Sequence, residues 1–212
     1  MRKTVIFDFD GTIANTWEMV GELLEIIAPE FGYEVLSESE LLNLRDLGLK
    51  SVLKKLKIPW WQVPRMALRI NQEIGKRLAK LRPIDDISEV LTQLATNYSL
   101  GIVSSNRRDN IVRFLELYNL EFFDFVYSEK SLFGKDKMLL SVIKKHKLTK
   151  DQVIYVGDEV RDLEAANKVG VKMVAVEWGL NSSVAFAKQK KQPASQVSSP
   201  AMLPMAVSQI FA

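Results

Sequence analysis

Two aspartates separated by one residue, Asp8 and Asp10 in "TVIFDFDGT" (4–12), stand where an apolar run meets a glycine. In an extended chain alternate residues project to one side, so both carboxylates face the same way. Gly11 lets the chain turn sharply with its N–H groups toward a ligand, and Thr12 adds a hydroxyl. Three other stretches also place polar groups of chemical use beside apolar or helical runs. "LGIVSSN" runs into Ser104, Ser105 and Asn106, a hydroxyl followed by consecutive amides that suit one phosphate. "GKDKMLL" puts Lys135 at the start of a helical pattern, where the helix dipole disfavours a cation unless something anionic compensates. "VIYVGDEVRD" sets Asp158 after Gly157, with Glu159 next and Asp162 one helical turn on. Helix capping accounts for one acid there, not for three.

These stretches need a scaffold that brings them together. The apolar runs 4–8, 100–105, 152–158 and 171–177 read as strands buried on both faces, and 86–97, 108–119, 136–147 and 160–169 have helical periodicity. Such alternation predicts an α/β fold with a parallel, doubly wound sheet. Right-handed crossovers then align the strand C-termini along one edge, where ligands bind. Residues 15–82 break the pattern: they are helical throughout, with Pro29, Gly32, Gly48, Pro59 and Pro64 as punctuation. They are expected to form a helical insertion between core segments 1–14 and 83–212, the latter closing with a weak strand near 194–198 and a helix near 201–211.

If the topology holds, Asp8, Asp10, Asp158 and Asp162 or Glu159 converge at that edge. Two carboxylates about 4 Å apart repel by roughly 4 kcal/mol at an effective dielectric near 20, so a cation must sit among them. Oxygen donors without His or Cys point to Mg²⁺, with Lys135 as a second compensating charge.

Composition narrows the function classes. Among 212 residues, 47% are apolar and 26% charged, as in a soluble globular protein with a sizeable core. No apolar run of about 18 residues is present to span a membrane, and acids after Phe7 argue against a secretory signal, so a cytoplasmic location is expected. There is no cysteine, which excludes disulfides and thiolate metal sites. The net charge of +3 gives no case for nucleic acid. The single histidine, His146 in "KKHK", is expected on a solvated helix face, which removes His-based triads and His-rich zinc sites. Trp60 and Trp61 are expected to pack within the helical insertion.

"DFDGT", "IVSS", "GK" and "GDEVRD", in this order at these strand ends, resemble the haloacid dehalogenase superfamily over nearly the whole chain. "WGLNSS" (178–183) and a late "SSP" resemble its phosphoglycolate phosphatase-like branch. The resemblance implies a Rossmann-like three-layer core with a small helical cap inserted after the first strand. It implies that Asp8 is a nucleophile forming an aspartyl phosphate and Asp10 the general acid and base. Ser104 would hold the phosphoryl group and Lys135 would orient Asp8. Mg²⁺ would sit on Asp8, the main-chain carbonyl of Asp10 and Asp158, with Glu159 or Asp162 nearby. An acid at position 10 implies a phosphatase or phosphomutase, whereas dehalogenases and P-type ATPases lack it. Asn15 replaces a common aspartate, and "GKDK" lacks a common proline after the lysine. In the cap, Arg45 and Lys50 are candidates to bind a carboxylate or second phosphate of the substrate.

The expected activity is hydrolysis of a small phosphorylated metabolite such as phosphoglycolate, by a monomer or homodimer. A sugar phosphomutase shares all four motifs. A non-catalytic phosphoprotein- or nucleic-acid-binding module would be expected to lack a motif residue, and none is missing.

Overall fold

The structure, a computed structural model, describes residues 2–128 and 134–212. Residues 131–133, which precede the Gly134–Lys135 pair, lie outside the described residues. Six parallel strands form one sheet: β1 (Thr4–Phe7), β2 (Ser99–Ser104), β3 (Phe125–Ser128), β4 (Val153–Gly157), β5 (Lys172–Val176) and β6 (Ser195–Val197). Their order is β3-β2-β1-β4-β5-β6, so the sequence direction reverses between β1 and β4. In doubly wound sheets that switch point opens the crevice where ligands bind.

Period-two alternation sends successive strand residues to opposite faces. Val5, Phe7, Ile102, Ile154 and Val156 join one apolar cluster, while Ile6, Val103, Tyr155 and Met173 join the other. Helices α5 (Ile87–Asn97), α6 (Arg108–Leu117) and α10 (Leu203–Phe211) pack on the first face. The second face carries α7 (Lys135–Lys145), α8 (Val160–Val169) and the short α9 (Ser183–Ala187). A three-layer Rossmann-like core results.

Between β1 and α5 the described regular elements are all helical: α1 (Val20–Glu30), α2 (Glu38–Leu44), α3 (Leu49–Lys55) and α4 (Val63–Lys76), with single 3₁₀ turns. Ser37 starts α2 through a reciprocal cap: its N–H donates to Glu40 Oε2 at 2.9 Å, and its Oγ accepts from the Glu40 N–H. None of the helices in the described residues is long and apolar enough to cross a membrane.

Four expectations need correction. Strand β3 had no counterpart in the hydrophobic pattern; it is a half-buried edge strand of four residues with acids on either side in the sequence, too short to register. Pro29 does not end α1 but sits in its last turn, and the chain turns at Gly32, where φ is +77°. His146 is half-buried against the Phe125 ring, with ring centroids 4.4 Å apart, because β3 runs beside the end of α7. Trp60 and Trp61 are 76% and 64% exposed on a 3₁₀ turn, so they do not pack within the helical segment.

α4 is tied to α1 by a buried carboxylate. Lys76 Nζ donates to Glu73 Oε1 at 2.8 Å, Arg69 and Arg77 also pair with Glu73, and Arg69 reaches Glu30 of α1 at 2.7 and 2.9 Å. Hydrogen bonds from Lys76, Arg69 and Arg77 lower the Glu73 pKa from 4.5 to about 2. A carboxylate with a depressed pKa adds stability above its ordinary pKa and loses it as pH falls through the folded value. Glu73→Ala is therefore expected to melt at lower temperature than the parent at pH 7. The difference should shrink between pH 4.5 and about 2, the window set by this shift. Thermal melts across that range check it.

Candidate active site

Asp8 follows β1 directly, and its N–H donates to Val156 O of β4 at 2.8 Å, which places it at the switch point. Its carboxylate is buried, accepting the Phe9 N–H on Oδ1 at 2.7 Å and Lys135 Nζ on Oδ2 at 2.7 Å. Lys135, the first residue of α7, also pairs with Asp162 of α8. Burial opposes the Lys135 charge, but Asp162 and Asp8 outweigh it and hold its pKa above the ordinary value.

Asp158 follows β4. Thr12 Oγ1 donates to its Oδ1 at 2.9 Å and the Leu180 N–H to its Oδ2 at 2.7 Å. Two glycines make room for it. Gly11 adopts φ +71°, and a Cβ there or at Gly179 would overlap the Asp158 carboxylate. Asp162 Oδ2 accepts the Glu159 N–H at 3.1 Å, which caps α8.

Carboxylate oxygens of Asp8, Asp158 and Asp162 lie within 4.8 Å of one another, the one group among the described residues placed to hold a metal ion. Three buried carboxylates against one ammonium leave two negative charges uncompensated, and the donors are hard oxygens. That set fits a divalent cation such as Mg²⁺ or Ca²⁺. Burial first, and then repulsion from neighbouring acids, raises Asp158 well above the usual carboxylate range. Burial also lifts Asp162 to about 7 despite Lys135.

Asp10 stands apart from this group. Asn106 Nδ2 donates to its Oδ1 and Oδ2 at 2.9 and 3.0 Å. Burial first, then Asp8, raises its pKa to about 7, so it can hold or release a proton near neutrality. Glu159 also stands apart, because Arg161 binds its carboxylate at 2.8 Å and holds its pKa low against the effect of burial.

Ser104 is fully buried at the end of β2, and its Oγ accepts the Asn106 N–H at 3.1 Å, so that amide is already engaged. Ser105 lines the same cavity as Asp8, Asp10 and Asp158. Arg45 and Lys50 do not join them. Arg45 donates to the carbonyls of Glu177 and Gly179 at 3.0 and 2.8 Å and stacks over Trp17. Lys50 is solvent-facing, 3.6 Å from Glu164.

Three supports lay outside the sequence reading. Asn106 was expected to offer its main-chain amide, but it holds Asp10 through its side chain and is held by Asn110, whose Nδ2 donates to Asn106 Oδ1 at 2.9 Å and to Asn71 O of α4 at 3.0 Å. Asn181 Oδ1 accepts the Val160 N–H at 2.8 Å while its Nδ2 donates to Leu47 O at 2.9 Å, joining α8 to the helical segment. Arg161 neutralises Glu159. The spacing of Asn106 and Asn110, one helical turn, was the available signal.

The family model described as haloacid dehalogenase-like hydrolase matches residues 5–176. A phosphoglycolate phosphatase of Synechococcus elongatus is 34% identical over 181 residues, 84% of this chain and 85% of that protein. A pyrophosphatase of Listeria monocytogenes is 25% identical over 186 residues, 84% of each. A haloacid dehalogenase-like family hydrolase from Streptococcus pneumoniae shares the fold with a TM-score of 0.79 at 17% identity, covering 97% of this chain and 98% of that one.

Asp10 and Asp162 have folded pKa values of about 7 against an ordinary 3.8, so charging them opposes folding as pH rises from 3.8 through 7. The cation-free protein should therefore melt at lower temperature at pH 8 than at pH 6. A divalent cation should raise the melting temperature more at pH 8, where its ligands are charged. Thermal melts with EDTA and with added Mg²⁺ at both pH values check this.

Proposed function

The chain belongs to the haloacid dehalogenase-like hydrolase family, and within it we propose a Mg²⁺-dependent phosphatase that hydrolyses a small phosphorylated metabolite through an aspartyl phosphate on Asp8. The observation that carries this reading is the contrast between two acids two residues apart. Asp8 is fixed by the Phe9 N–H and Lys135, while Asp10 is held by Asn106 with a pKa near neutrality.

Attack by an Asp8 oxygen on phosphorus breaks the bond to the leaving alcohol, which takes its proton from Asp10. Asp10, now a carboxylate, accepts a proton from water as that water attacks the phosphoenzyme, and phosphate leaves with Asp8 restored. Ser104 and the neighbouring loop hold the phosphoryl group, and Lys135 orients Asp8. Asp8, Asp158 and Asp162 would hold Mg²⁺, which when bound would supply positive charge to the phosphoryl oxygens. Residues 15–82 act as a cap, and they meet the leaving group. The named activities of the relatives, on phosphoglycolate and on pyrophosphate, differ in that leaving group.

Phosphate release from an aryl phosphate should need Mg²⁺ and stop on EDTA addition. Asp8→Asn should abolish turnover, and Asp10→Asn should slow it by roughly 10²–10⁴-fold, the usual contribution of a positioned acid–base. Full activity in Asp8→Asn would rule the mechanism out. Incubation with a hexose 1-phosphate should give free phosphate rather than an isomer.

A further inference from the structure

Between the carboxylates and helices α1–α4 lies a cavity of about 340 Å³. Asp8, Asp10 and Asp158 form its polar end, and its walls include Leu24, Leu41, Leu53, Val63, Met66 and Ile70. Leu49, Val52 and Leu53 of α3 and Leu56 just beyond it all line it, and none of the residues of α3 is fully buried. Apolar side chains that face a cavity lack the contacts a packed core supplies, and a ligand can provide them.

The charges agree with the walls. Arg161 is the one cationic side chain among the described residues lining the cavity, and it is bound to Glu159. Arg45 is engaged with main-chain carbonyls, and Lys50 faces Glu164 at the surface. A substrate carboxylate or second phosphate lodged here would lose water without gaining a cation along the apolar walls.

We propose that the substrate is the phosphate monoester of an apolar alcohol, alkyl or aryl, whose hydrocarbon part fills this cavity, rather than phosphoglycolate or pyrophosphate. The cavity has room for roughly ten water-sized groups. This rests on the phosphatase reading above: the phosphoryl group passes to Asp8 and the alcohol leaves with the Asp10 proton.

The test measures kcat/KM with Mg²⁺ for n-alkyl phosphates from ethyl to decyl, for 1-naphthyl phosphate, for phosphoglycolate and for pyrophosphate. The expected result is a rise of about fourfold per methylene until the cavity is full, the factor that burying one CH₂ gives. Octyl and naphthyl phosphate should then exceed phosphoglycolate by at least about 100-fold. Leu53→Gln, and separately Met66→Gln on another helix, should flatten the chain-length slope. If either variant fails to fold, the slope of the unmodified protein decides. A flat slope, or phosphoglycolate or pyrophosphate as the better substrate, overturns the inference and leaves the phosphatase reading standing. No phosphate from any substrate overturns both.

Discussion

The ammonium of Lys135, set between Asp8 and Asp162, is the interaction on which the rest of the site depends. β1, α7 and α8 each bring one of these groups, so the ion contacts join elements far apart in the chain. Two ionised carboxylates about 4 Å apart would repel by roughly 4 kcal/mol at an effective dielectric near 20, a large share of a domain's net stability. One ammonium cannot balance three buried acids, and burial first, with repulsion from neighbouring acids added to it, raises Asp158 and Asp162 above the usual carboxylate range. The position of Lys135 at a helix N-terminus, unfavourable by the dipole, makes sense against that excess of negative charge. The fold thus concentrates like charge where sheet direction reverses, and the same charge defines what the site can bind.

Around that centre the acids are separated by their partners rather than by distance alone. Asp8 accepts from a main-chain amide and an ammonium, Asp158 from a hydroxyl and an amide, Asp10 from a neutral carboxamide, and Glu159 from a guanidinium. Burial and then Asp8 raise Asp10 to about 7 against the pull of the Asn106 hydrogen bonds, so it can exchange a proton, whereas Arg161 holds Glu159 low against its burial. Different chemistry among neighbouring carboxyl groups follows from these local partners.

Much of the architecture was legible because strands buried on both faces write themselves as apolar runs. Thr4–Phe7, Ser99–Ser104, Val153–Gly157 and Lys172–Val176 all belong to that class. The edge strand Phe125–Ser128 is half-buried, carries acids beside it and leaves no such trace. For the site, strand ends marked which residues meet, as with Asp8, Asp158, Asp162 and Lys135. Which way each side chain turns was not legible. Glu159 goes to Arg161, Arg45 to the carbonyls of 177 and 179, and Asn106 to Asp10, all choices made by contacts between distant segments. Asn106 was legible only for its main-chain amide, and the uncharged side chains of Asn106, Asn110 and Asn181 carry no charge pattern that says which distant group each one binds.

The loop after β5 grips two things at once. Leu180 N–H holds the Asp158 carboxylate, while the carbonyls of Glu177 and Gly179 receive Arg45, and Asn181 reaches Leu47 O. Displacement of the Arg45 segment must therefore be absorbed by the same few peptide units that position a cluster carboxylate. Thermodynamic reciprocity follows: whatever draws the helical segment inward and whatever settles on the carboxylates must each alter the affinity of the other.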